Sequence, residues 1–86
     1  MTGRIIQVLQ IQLFTKDPCP LCDDVKQLLG ALADTYPHQL IEIDITQNQE
    51  LNARYRFQIP VLKIGDRELK APIEMLDLSR FLREAS

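Results

Sequence analysis

The stretch "IQLFTKDPCPLCDDVKQLLGAL", residues 11–32, decides how the whole chain is read. Ahead of the cysteines, Leu9, Ile11 and Leu13 fall on one side of an extended segment and Val8 and Phe14 on the other. A strand over residues 5–14 that is apolar on both faces belongs inside a sheet covered on both sides. After the cysteines, Leu21, Val25, Leu28, Leu29 and Leu32 recur at spacings of three and four. That is the stripe of an amphipathic helix, expected to run to about Thr35 before Pro37 stops it, with Gly30 weakening it without ending it. Strand passes to helix through Cys19 and Cys22.

The remaining chain supplies the partners this unit needs. "LIEIDI", residues 40–45, alternates and reads as a second strand with Ile41, Ile43 and Ile45 on one face. Thr46 and Gln49 have the spacing of a capping box, opening a short helix through Leu51 to about Tyr55. "IPVLKIGDRELK", residues 59–70, places two short strands around Gly65-Asp66, where glycine accepts the positive φ of a tight hairpin. Pro72 suits the first turn of a last helix whose apolar side is Met75, Leu78, Phe81 and Leu82. The order is β-α-β-α-β-β-α. A crossover helix makes its strands parallel and a tight turn makes them antiparallel, so an α/β fold follows, with a four-stranded mixed sheet and helices on both faces.

Composition narrows the class. The 86 residues suit one domain, residues 1–86, without linker or repeat, and 45% apolar with 26% charged residues is ordinary for a globular protein. A net charge of −2 with scattered basic residues argues against nucleic acid and anionic membranes as partners. The start "MTGRIIQVLQIQLF" looks superficially like a secretory signal, but Gln7, Gln10 and Gln12 break its apolar run and no small-residue cleavage site follows. No stretch is long and apolar enough to cross a bilayer. The expectation is a cytoplasmic monomer. There a permanent structural disulfide is disfavoured, so a close cysteine pair points to chemistry rather than architecture.

Three readings compete for that pair. A buried inert pair is the bland one. A closed zinc site needs four ligands, and two cysteines with His38, beyond the far end of the helix, do not supply them in one chain. A redox pair fits best, because residues three apart at a helix start lie near disulfide range. The helix N-terminus stabilises a thiolate, which makes Cys19 the nucleophile and the deeper Cys22 the resolving thiol. Lys16 could assist the thiolate, while Asp17, Asp23 and Asp24 would oppose it if close; Asp23 and Asp24 are equally at home as partners of the helix dipole, and Lys16 as a solvated lysine. In "QIPV", residues 58–61, Pro60 reads as an ordinary edge or turn proline. A cis bond at Ile59–Pro60 would instead turn the Ile59 backbone outward to pair with an extended substrate.

With "LFTKDPCPLC" at residues 13–22, "RYRFQIPVLKIG" at 54–65 and this order of elements, nearly the whole chain resembles the glutaredoxins of the thioredoxin-like fold, and most of all the small glutaredoxin-like proteins with a C-x-L-C motif. The resemblance implies a dithiol oxidoreductase acting on a disulfide-containing protein or small thiol. Cys19 and Cys22 are its catalytic pair, Pro60 its cis-proline, and Lys16, Pro20, Leu21 and Ile59 join Pro60 along the substrate groove. It implies no tightly bound cofactor. Glutathione is a candidate reductant, against which two departures count. Leu21 stands where glutaredoxins carry Tyr, and "ELKAPIEML", residues 68–76, stands where they carry Gly-Gly and an acidic residue. Thioredoxins have Trp before the motif and a buried Asp on the preceding strand; this chain has no Trp and carries Leu13 there. Two alternatives remain: a module for an iron–sulfur cluster or metal delivery, with Cys19 of two chains and external thiols as ligands, and a thioredoxin-fold interaction domain with inert cysteines.

Overall fold

The computed structural model describes residues 8–86, so the expectations for Gln7, the start of the chain and the beginning of the first strand lie outside the described residues. Strand β1 (Leu9–Thr15) leads into helix α1 (Pro20–Ala31), then β2 (His38–Asp44), a 3-10 turn (Ile45–Gln47), α2 (Gln49–Tyr55), β3 (Val61–Ile64), β4 (Arg67–Lys70) and α3 (Met75–Ala85). The sheet order is β2-β1-β3-β4. β1 pairs parallel with β2 and antiparallel with β3, and β3 pairs antiparallel with β4. The mixed sheet read from the strand order is therefore the one observed.

Because side chains alternate across a strand, β1 feeds two cores. Leu9, Ile11 and Leu13, with Leu62 of β3, meet Val25 and Leu29 of α1 and Leu78, Phe81 and Leu82 of α3 on one face. Phe14 and Val61 point the other way and meet Ile45 and Tyr55, with Leu51 packed alongside. Tyr55 stacks on Phe14 with ring centroids 4.5 Å apart and donates its phenolic hydrogen to Glu68 Oε2 at 2.6 Å. Gly65 closes the β3–β4 hairpin at φ +58°, the left-handed conformation that glycine adopts without a Cβ penalty.

Four local expectations are corrected. Regular helix in α1 stops at Ala31, and irregular turns carry the chain through residues 32–36. Thr46 and Gln49 form no capping box. Asn48 caps α2 by accepting the Leu51 amide at 3.1 Å, while the Thr46 amide and hydroxyl both donate to Asp44 Oδ1, at 2.9 and 2.6 Å. The asparagine side chain reaches its own helix end, and Thr46 is already committed to the preceding turn. Pro72 precedes α3 rather than entering it. That helix starts after Glu74, whose amide donates to Asp77 Oδ2 at 3.2 Å. Finally, Ile41 does not share the burial of Ile43 and Ile45: it is 46% exposed on the edge strand β2, beyond the cover of the seven-residue α2.

Candidate active site

The strand register explains why one end of the sheet gathers the unusual residues. Phe14 lies opposite Ile43 on one side and Val61 on the other, and Thr15 lies opposite Asp44. The cysteine segment leaving β1, the carboxylate ending β2 and Pro60 entering β3 are therefore brought to the same edge. Ligands in open α/β sheets bind at such carboxyl ends of parallel strands.

Cys19 is the N-cap of α1, in an extended conformation at φ −148° and ψ 91°, and Pro20 follows as the first helical residue. A proline there loses nothing, since the first-turn amides have no intrahelical acceptor. Cys22 lies three residues on, 1% exposed, whereas Cys19 is only partly buried. The Cys22 amide donates to Cys19 Sγ at 3.2 Å, and the two sulfurs are joined as a disulfide with Cα atoms 5.2 Å apart. One sulfur thus faces outward with a backbone donor aimed at it; the other lies beneath.

Two concavities flank the pair. A polar cavity of about 290 Å³ is lined by Thr15, Lys16, Asp17, Cys19, Asp23, Lys26, Glu42 and Asp44. Lys26 reaches Glu42 at 3.1 Å and Asp23 at 3.4 Å. The Glu42 hydrogen bond, with further attraction from both carboxylates, raises the Lys26 pKa above its ordinary 10.5. Asp44 is held below the usual 3.8 by the hydroxyl and amide of Thr46. On the other side, Leu21, Val25, Pro60, Ala71, Pro72 and Ile73 line an apolar groove of about 120 Å³.

The expected site residues divide between these concavities. Lys16 borders the polar cavity with Cys19, Leu21 and Pro60 share the apolar groove, and Pro20 is exposed at the helix start. Asp17 and Asp23 line the cavity, whereas Asp24 does not, and Asp23 is partly answered by Lys26. The Ile59–Pro60 bond is cis, as are Asp17–Pro18 and Ala71–Pro72. The Ile59 backbone does not offer both of its groups to an added strand, because its N–H already donates to the Tyr55 carbonyl at 3.1 Å. Ile59 itself packs against the Phe14 and Tyr55 core.

Lys26, Glu42 and Asp44 line the cavity together with Cys19 and carry no signal of their own in the sequence pattern. Asp44 could have been found there, because a parallel β1–β2 pair puts the last residue of β2 beside the cysteine segment. No group of three His, Cys, Asp or Glu side chains among the described residues is placed to hold a metal ion. Nor is any helix among them long and apolar enough to cross a membrane.

Comparisons with known proteins agree with this fold. An X-ray structure of target protein XcR50 from X. campestris matches with a TM-score of 0.76 at 28% identity, over 88% of this chain and 99% of that one. The solution structure of protein Ne2328 from Nitrosomonas europaea matches with a TM-score of 0.79 at 22% identity, over 95% of this chain and 99% of its own. A mutant thioredoxin from Halobacterium salinarum NRC-1 shares the fold, with a TM-score of 0.67 at 20% identity over 90% of this chain and 74% of that one. A thioredoxin-like fold with a cysteine pair at bonding distance is consistent with redox function. The glutaredoxin-like domain model (DUF836) matches residues 10–84, nearly the whole chain, and the chain belongs to that glutaredoxin-like family.

Proposed function

We propose that this chain is a thiol–disulfide oxidoreductase, with Cys19 as nucleophile and Cys22 as resolving thiol. The observation that carries this reading is the Cys22 amide directed at Cys19 Sγ at the start of α1. That donor and the positive end of the helix dipole favour negative charge on the outer sulfur. In the reduced protein the Cys19 thiolate attacks one sulfur of a substrate disulfide, the substrate S–S bond breaks, and the departing thiolate takes up a proton. Cys22, deprotonated, then attacks Cys19 Sγ and expels the second substrate thiol. Two electrons have passed to the substrate, and the protein holds the Cys19–Cys22 disulfide. A cellular thiol or dithiol restores the pair.

Lys16, Pro20, Leu21, the Ile59 carbonyl and Pro60 border the substrate in this reading. Glutathione is disfavoured as the electron donor by the apolar groove at Leu21, Ala71 and Pro72. The test is trapping. A Cys22→Ser protein exposed to a disulfide substrate should accumulate a stable mixed disulfide on Cys19, seen as a mass increase reversed by dithiothreitol, and Cys19→Ser should accumulate none. If Cys22→Ser stays unmodified and the wild type reduces no disulfide, the cysteines are inert and the reading fails.

A further inference from the structure

We infer that the polar cavity beside Cys19 selects polypeptide disulfides whose cysteine is flanked by a positively charged side chain. This deepens the oxidoreductase reading and rests on it. A group bonded to the attacked sulfur has direct access to the cavity, because Cys19 forms part of its wall. Its lining carries two lysines against four carboxylates, Asp17, Asp23, Glu42 and Asp44. Lys26 is occupied by Asp23 and Glu42, while Asp17 and Asp44 take part in no salt bridge among the described residues. Lys16 is the remaining cation of the lining, so the cavity keeps an excess of negative charge around the outer sulfur. At about 290 Å³ it has room for a lysine or arginine side chain.

The hydrogen bonds from Thr46 to Asp44 keep that carboxylate ionised and fixed in direction. An incoming ammonium or guanidinium is attracted by this field, while a carboxylate next to the substrate sulfur is repelled. The chemistry is unchanged from the exchange above; only the choice of disulfide is set here. Asp17 and Asp44 act on the substrate through charge, on the same side as Lys16, while the apolar groove at Leu21 and Pro60 accepts the uncharged flank.

The experiment uses the reduced full chain and symmetrical disulfides of blocked tripeptides in which the residue before cysteine is lysine, glutamine or glutamate. Single-turnover rates are divided by the rate of each peptide with dithiothreitol, which removes the intrinsic reactivity of the disulfide. The lysine peptide should react about fivefold or more faster than the glutamate peptide at low salt, with glutamine between, and the ratio should shrink on approaching 0.5 M salt on the order of the screening expected there. Asp17→Asn, an exposed change outside the helices and strands, should lower the ratio about twofold, and Asp17→Asn with Asp44→Asn should lower it further. Corrected rates that are equal, or faster for glutamate, overturn the inference while the glutamine peptide still shows the oxidoreductase working. Failure to reduce any of the three, glutamine included, removes the oxidoreductase reading and the inference with it.

Discussion

The two faces of the sheet are built on different scales. On one, α1 and α3 lie side by side over Leu9, Ile11, Leu13 and Leu62; on the other, the short α2 covers Phe14, Ile45 and Val61. The helix that carries the cysteines sits on the larger core, through Val25 and Leu29. Pro60 and Ile59 lead from α2 into β3, beside the smaller core that is tied by the Tyr55 ring and hydroxyl. The nucleophile therefore stands on the broader foundation, and Ile59, which leads into Pro60, on the narrower. That difference predicts unequal responses to the same kind of change.

Truncation tests it most directly. Leu29 is 1% exposed, and Leu29→Ala should destabilise the fold by about 2–5 kcal/mol, the range for a buried leucine that leaves a cavity. Leu51→Ala, on the partly open edge of the smaller core, should cost roughly 1–2 kcal/mol. Urea unfolding of the reduced proteins measures both. Equal losses would mean that the faces are equally packed, against the comparison.

The second test concerns the bond that ties the smaller core to the hairpin. Tyr55→Phe keeps the ring against Phe14 and removes the hydrogen bond to Glu68, for a loss of about 1 kcal/mol at neutral pH because the acceptor residue is exposed to solvent. Glu68 and burial raise the Tyr55 pKa above its ordinary 10.0, while Arg54 pulls in the other direction. A raised folded-state value means that the neutral phenol is favoured by folding, so its contribution is complete below pH 10.0 and is lost as pH climbs through the folded pKa. The stability gap between wild type and Tyr55→Phe should be constant up to that point and close above it. A gap that widens with alkaline pH would reverse the sign and discard the assignment to Glu68.

What could be read in advance follows the same division. The cysteine pair, the α1 stripe and the Gly65 turn depend on neighbours within a few residues, so spacing alone reveals them. The capping of α2 is hidden from spacing because Thr46 and Asn48 compete for adjacent roles, and the winner depends on Asp44 taking the Thr46 hydroxyl. Ile41 misleads because alternation reports which face a side chain takes, not how far a covering helix extends. The charged wall of the cavity escapes for a related reason: Glu42 and Asp44 come from β2, and only the β1–β2 register unites them with Cys19 and with Lys26 of α1.

The smallest expected effect separates the stability of α1 from its chemistry. Gly30 lies in the last turn of that helix, exposed, and a Cβ placed there would meet nothing within 4 Å. Gly30→Ala should therefore raise stability by about 0.5–1 kcal/mol, through the lower backbone entropy of the unfolded chain and the better helix propensity of alanine. Cys19 is at the opposite end of the helix, so the rate of disulfide exchange should not change. The same substitution at Gly65 should have the opposite sign, since φ +58° strains any side chain there. Should Gly30→Ala leave stability unmoved while altering the exchange rate, the end of α1 would be coupled to its beginning, and the larger core would be less rigid a support for the nucleophile than its packing implies.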